Sequence, residues 1–194
     1  MSVYFNSLSI PSLCQKGADI LKFPILKAFV FCLCGLALNT VAEPKQKDFH
    51  LSDLNNFQVN GEFLLSASLP NDAQLAVLAE AGVRHVVDLI PGNRTDEKQT
   101  VESLNMHYIN IPVDWNNPTL EDFERYKSVL DEAMKNNEMV FTHCKLNWRG
   151  SAFTYLYRVT QMKENEAVAR ADLDAIWKPN ETWREFIANV KASY

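Results

Sequence analysis

The stretch MVFTHCKLNWRGS, residues 139–151, brings an imidazole, a thiol and a guanidinium close together as His143, Cys144 and Arg149. An apolar run, Met139 to Thr142, ends at His143-Cys144, and a helix-like pattern restarts beyond the arginine. Where a strand runs into a helix in an α/β fold, backbone N–H groups and the helix N-terminus together bind an anion, so a thiol placed there is held as thiolate. Cys144 is therefore a candidate nucleophile. Lys145, Leu146, Asn147 and Trp148, with Gly150 and Ser151 beyond Arg149, form the candidate anion-binding loop. His143-Cys144 also has the look of half a zinc site, but adjacent strand residues face opposite ways and no second pair stands at metal spacing. No metal and no cofactor are implied.

The elements that must position this junction can be read from both sides of it. Phe57-Gln58-Val59 and Phe63-Leu64-Leu65 flank Asn60-Gly61, a hairpin signal. Asn71 is placed to cap a helix carrying Leu75, Leu78 and Ala79, which Gly82 stops. Val83 to Ile90 reads as a buried strand, Thr95 to Leu104 as a short helix, and Met106 to Ile111 as another strand. Thr119 and Asp122 resemble a capping box for a helix that puts Phe123, Tyr126, Val129, Leu130 and Met134 on one face. Met139 to Thr142 is the strand feeding Cys144. A helix follows from Ser151 through Phe153, Leu156, Tyr157 and Thr160, and two more lie around Pro179. Strands alternating with helices imply an α/β fold, a mainly parallel central sheet flanked by helices on both faces. Ligands in such sheets sit at the carboxyl ends of the strands, and Cys144 falls there.

The first 42 residues read differently. Ala28 to Leu38 is a short apolar run preceded by Lys22 and Lys27 and followed by Asn39-Thr40-Val41-Ala42, the pattern of a secretory signal peptide cut after Ala42. Residues 43–50 then form a short linker and 51–194 the folded domain. The expectation is a periplasmic or secreted protein with no stable membrane insertion after cleavage; the alternative is an uncleaved N-terminal anchor. Cleavage removes Lys16, Lys22, Lys27 and Asp19, and so leaves 16 basic against 23 acidic residues, a charge near −7 that argues against nucleic acid as a partner. It also removes Cys14, Cys32 and Cys34. Cys144 is then alone in an oxidising compartment, without an intramolecular disulfide partner.

With these residues in place, the chain resembles the cysteine-dependent dual-specificity and tyrosine phosphatases across residues 50–165. Within that superfamily it is most similar to bacterial phosphatase-like domains that are also found fused to beta-lactamase-like hydrolases. The residues that carry the likeness are Leu69-Pro70, Gly82-Val83-Arg84 with Asp88-Leu89-Ile90, Ile111-Pro112-Val113-Asp114, and His143-Cys144 through Arg149. The resemblance implies Cys144 as the nucleophile that forms a phosphocysteine, and Arg149 as a bidentate clamp on the phosphoryl oxygens. It implies Asp114 as the acid that protonates the leaving oxygen, Ser151 as a hydroxyl supporting the departing thiolate, and His143 as an influence on the thiol. The substrate implied is a small phosphate monoester or a phosphoprotein.

That chemistry is coherent in itself, because a charged ester needs a thiolate, several N–H donors, a fixed cation and an acid. One feature departs from the superfamily: only four residues, Lys145 to Trp148, separate Cys144 from Arg149, where the signature has five. A four-residue loop resembles that of rhodanese-type sulfurtransferases, whose glycine three after the cysteine is here Asn147, the next-best residue for positive φ. Sulfur transfer on Cys144 and a non-catalytic anion-binding role are therefore the alternatives to phosphate hydrolysis. The other polar residues have plainer readings. Asp114 is equally suited to shaping the turn before Asn116-Asn117-Pro118, Asp122 to capping and Asp88 to a structural role. Asn93-Arg94, Trp115 and Trp148 are candidates to line the same pocket.

Overall fold

The computed structural model describes residues 50–194; the signal-peptide reading and most of the linker lie outside the described residues. A short 3-10 turn at Leu51–Asp53 leads into β1 (Gln58–Gly61) and β2 (Leu64–Ser68), then α1 (Asp72–Glu80), β3 (Val83–Asp88), α2 (Thr95–Ser103) and β4 (His107–Asn110). The chain continues through α3 (Leu120–Lys135), β5 (Met139–Cys144), α4 (Trp148–Thr160), α5 (Glu166–Ile176) and α6 (Glu181–Ala192). The sheet order is β1-β2-β5-β3-β4, with β1 antiparallel to β2 and every other pairing parallel. The α/β class and the mainly parallel sheet expected from the sequence are thus observed.

β5 is the central strand, and its burial explains its composition: Val140 to Cys144 is buried throughout. Alternation sends successive side chains to opposite faces. Val140 and Cys144 join Leu64, Val87 and Leu89 under α3 to α6, where Phe123, Tyr126, Phe153, Trp183 and Phe186 complete one core. Phe141 faces the other way, into a smaller core with Leu65, Ala67, Leu75, Leu78, Val86 and Val101 beneath α1 and α2. Burying each such large side chain contributes about 1.5–3 kcal/mol. Tyr126 is completely buried, its hydroxyl 2.9 Å from Thr142 Oγ1, and burial pushes its phenol above the usual range.

The capping expectations hold. Asn71 accepts from Gln74 N at 2.9 Å and Thr119 from Asp122 N at 3.2 Å, each with the reciprocal bond of a capping box. Gly82, at φ +97°, takes the chain out of α1 where a side chain would be strained. Two expectations shift. The hairpin is present, but its turn lies at Glu62-Phe63 rather than Asn60-Gly61, because Asn60 sits at a register irregularity in β1 and its buried side chain donates to Ser66 Oγ at 2.8 Å. Helix α4 begins at Trp148 rather than Ser151, which puts Arg149 in its first turn. Among the described residues no helix is long and apolar enough to cross a membrane.

Candidate active site

Cys144 ends β5, 1% exposed, and Asn147 caps α4 in the left-handed conformation at φ 62°. Asparagine tolerates that region better than other residues with a side chain, so the chain turns straight from strand to helix through Lys145, Leu146 and Asn147. The carbonyls of this turn are all accounted for. Lys145 O accepts from Leu69 N at 3.5 Å, Leu146 O from Asn56 Nδ2 at 3.0 Å, Asn147 O from Ser151 N at 2.8 Å and Trp148 O from Ser151 Oγ at 3.2 Å. The amides are not. Among the described residues the N–H groups of Lys145, Leu146 and Asn147 donate to no protein acceptor, and those of Trp148, Arg149 and Gly150 are the orphan donors of the first turn of α4. Such consecutive free amides, with the positive end of a thirteen-residue helix behind them, favour an anion over the thiol.

Gly150 is required by this packing. A Cβ added there would lie 2.3 Å from Asn147 Oδ1. The Asn147 side chain has no easy retreat, being fully buried with Nδ2 donating to Asn56 O at 2.8 Å and Ser66 Oγ at 3.1 Å. Gly150→Ala should therefore cost about 2 kcal/mol, read as a fall of several degrees in Tm, together with at least a tenfold loss of oxyanion affinity. An unchanged melting curve with wild-type affinity would show that Asn147 is not held as described.

Arg149 is half-buried and points toward the loop after β4: its Nε donates to Val113 O at 3.0 Å and its guanidinium stacks 5.4 Å from the centre of the Trp115 ring. Asp114, the next residue after Val113, is exposed, and its Oδ1 accepts from Asn116 N at 2.8 Å. The turn-shaping role of Asp114 is thus observed, on a loop that Arg149 tethers to the head of α4. Trp115 and Trp148 belong to a cluster of the chain's four tryptophans. Trp148 stacks on Trp177 at 5.4 Å, and Trp183 Nε1 donates to Trp115 O at 3.0 Å. The cluster fixes the plane on which Arg149 rests. Leu146 and Trp148 are exposed at the rim.

His143 lies on the other side of the sheet. Its ring stacks on Phe141, with Nε2 2.6 Å from Glu97 Oε1, a close contact too bent to be an aligned hydrogen bond, and Nδ1 3.9 Å from Asp88 Oδ1. Asp88 is fully buried and accepts from Ile90 N at 2.8 Å, Arg94 Nε at 2.6 Å and Tyr108 OH at 2.7 Å. Burial, and next the bond to Asp88, push the Tyr108 phenol well above its usual range. Arg94 also pairs with Glu97. Asp88, Glu97 and His143 bring one ligand-type atom each within 4.8 Å of one another, but the Arg94 guanidinium already supplies the positive charge between the two carboxylates. The group is a largely buried polar anchor behind β5. Arg94 belongs to it, and its guanidinium is committed there rather than to the pocket the sequence suggested. Ser151, 1% exposed, donates its hydroxyl hydrogen bond to Trp148 O.

A sequence model described as "DSP-PTPase phosphatase fused to NAD+ Kinase" matches residues 45–189. The chain belongs to this DSP-PTPase family. Among solved structures it is similar to a candidate phosphatase of the DUF442 class from Shewanella putrefaciens CN-32, with 34% identity over 74% of this chain and 96% of that one, at a TM-score of 0.66. The fold is shared with Tk-PTP, at 13% identity over 72% of this chain and 98% of that one and a TM-score of 0.60. It is also shared with TpbA of P. aeruginosa, at 18% identity over 71% and 88% and a TM-score of 0.58. No curated protein matches the chain. The phosphatase family expected from the sequence is thus shown, with the dual-specificity-phosphatase fold.

Proposed function

We propose that the protein is a cysteine-dependent phosphatase that hydrolyses phosphate monoesters through a phosphocysteine intermediate. The observation that carries this reading is the run of unengaged amides from Lys145 to Gly150, which begins beside the Cys144 thiol and includes Arg149. The phosphoryl oxygens bind to those N–H groups. Attack by Cys144 Sγ forms the S–P bond as the bond to the ester oxygen breaks, and a proton on that oxygen lets it leave as an alcohol or phenol. Water then cleaves the S–P bond, releasing inorganic phosphate and restoring the thiolate. Arg149 clamps the equatorial oxygens once its guanidinium turns from Trp115 to the anion, and its bond to Val113 O draws the Asp114 loop over the site. Asp114 supplies the leaving-group proton. The substrate class is a phosphorylated small molecule or phosphoprotein, and export to the periplasm, proposed on residues 22–42 alone, would place it among extracytoplasmic substrates.

Asp114→Asn tests the assignment of the acid. An alkyl phosphate, whose alkoxide departs only when protonated, should lose roughly a hundredfold or more in kcat. A nitrophenyl phosphate, whose leaving group needs little help, should lose much less. Equal losses on both substrates would leave Asp114 as a turn-former only.

A further inference from the structure

A ring of amides faces an anion only when its carbonyls are turned outward and satisfied there, since a carbonyl released from its partner is free to rotate inward and repel the charge. Three of the four carbonyls in the Cys144 loop are held by main chain or by the helix itself: Lys145 O by Leu69 N, Asn147 O by Ser151 N, and Trp148 O by Ser151 Oγ. Leu146 O, at the exposed crown of the loop, is different. Its donor is the side chain of Asn56, ninety residues away in sequence, at 3.0 Å.

Asn56 and the loop grip each other in both directions. While Asn56 Nδ2 donates to Leu146 O, the main-chain oxygen of Asn56 accepts from the buried Asn147 side chain at 2.8 Å. The bracket is anchored at its own base. Ser68 N, at the end of β2, donates to Asn55 O at 2.9 Å, and Asn56 Nδ2 also lies 3.5 Å from Ser68 Oγ. Asn56 holds φ at 53°, a conformation asparagine and glycine accept most readily, so its residue type serves the backbone as well as the side-chain donor. Both asparagines of the bracket, Asn56 and Asn147, are left-handed, and their two hydrogen bonds tie the Leu146 carbonyl and the Asn147 side chain to the segment before β1.

We infer that Asn56 is a positioning residue for the anion loop: it holds the Leu146 carbonyl outward so that the following amides stay aimed at the bound oxyanion. The inference rests on the phosphatase reading of the loop. It also explains how a four-residue turn stays open, because part of the bracing that a longer loop could provide internally comes from the segment before β1.

The test is calorimetric binding of tungstate, a phosphate-shaped oxyanion, to the full domain, at a temperature where every variant is folded. Asn56→Gly keeps the left-handed backbone and the Asn56 carbonyl but deletes the donor. Asn56→Asp keeps size and conformation but replaces the donor with an acceptor. Both should bind tungstate about tenfold more weakly or worse, as expected for one lost hydrogen bond to a group that then turns. A merely structural role would lower Tm and leave the affinity of the folded protein unchanged. Either variant binding within twofold of wild type would overturn the inference. If wild type itself did not bind tungstate, the anion-loop reading would fall first, and the two failures are distinct. Should neither variant fold, a scalar coupling across the hydrogen bond from Asn56 Nδ2 to the Leu146 carbonyl carbon in the wild-type spectrum decides the matter; its absence would contradict the inference.

Discussion

Cys144→Ser should reduce aryl-phosphate hydrolysis by roughly ten-thousand-fold or more, with the fold and oxyanion affinity retained. The magnitude follows from removing the nucleophile, since a neutral hydroxyl with no adjacent base cannot replace a thiolate in forming the bond to phosphorus. Retention of fold follows from size. Cys144 is 1% exposed in the core under α3 to α6, and serine differs from it by one atom in a position already edged by polar main chain. The variant should melt within a few degrees of wild type and bind tungstate within a few-fold of it, because the amides of Lys145 to Gly150 are untouched. Kinetics, melting and binding measured on one preparation separate these effects. Appreciable phosphate turnover by the serine variant would remove Cys144 from the chemistry, and collapse of tungstate binding would show that the loop depends on the thiol for its shape.

The second large effect is expected at Arg149. Arg149→Lys keeps a positive charge but loses the planar fork that meets two phosphoryl oxygens and the flat face that rests on Trp115. A lysine ammonium also cannot hold Val113 O with one nitrogen while presenting two others to the substrate. The expected result is a fall of about a hundred- to a thousandfold in kcat/KM, mostly in kcat, because the charge it meets is greatest in the transition state. Steady-state kinetics with an aryl phosphate measure it. A loss below tenfold would mean that the guanidinium serves only to dock the 113–118 loop on α4.

The parts of this site that were legible in the sequence are those contiguous along the chain. Cys144 through Ser151 is one segment, and its strand-then-helix character is carried by β-branched and aromatic residues before the cysteine and a helical period after it. Positive φ at Asn147 was expected from its residue type and is observed. Boundaries moved where a side chain was spent on something the pattern does not show. The hairpin turn slid past Asn60 because that side chain is taken up by Ser66 and by Arg158, whose Nη1 lies 3.4 Å from Asn60 Oδ1. Helix α4 began three residues early because the left-handed Asn147 starts it directly.

Two groups were out of reach because register across the sheet assembles them. Asp88 meets His143 only because β3 and β5 pair with those residues opposed, and Glu97 and Arg94 arrive from the start of α2 and the turn before it. Read alone, Glu97 is an ordinary helix-start charge, and nothing in the spacing of Asp88, Arg94 and His143 says that they meet one another. Asn56 is the same case at longer range. It sits in a polar stretch with no periodicity, and its value appears only when the end of β2 brings that stretch against the loop after β5.

The most direct test of the central claim is to trap the covalent intermediate. The folded domain is mixed with an aryl phosphate, quenched in acid within the first turnover, digested and analysed by mass spectrometry. One phosphoryl group is expected on the peptide that carries Cys144, present in wild type, accumulating in Arg149→Lys if hydrolysis of the intermediate slows, and absent in Cys144→Ser. Aryl-phosphate turnover with no phosphate on that peptide at any quench time would contradict it, as would a sulfur atom gained on Cys144 from thiosulfate in a protein that leaves phosphate esters intact.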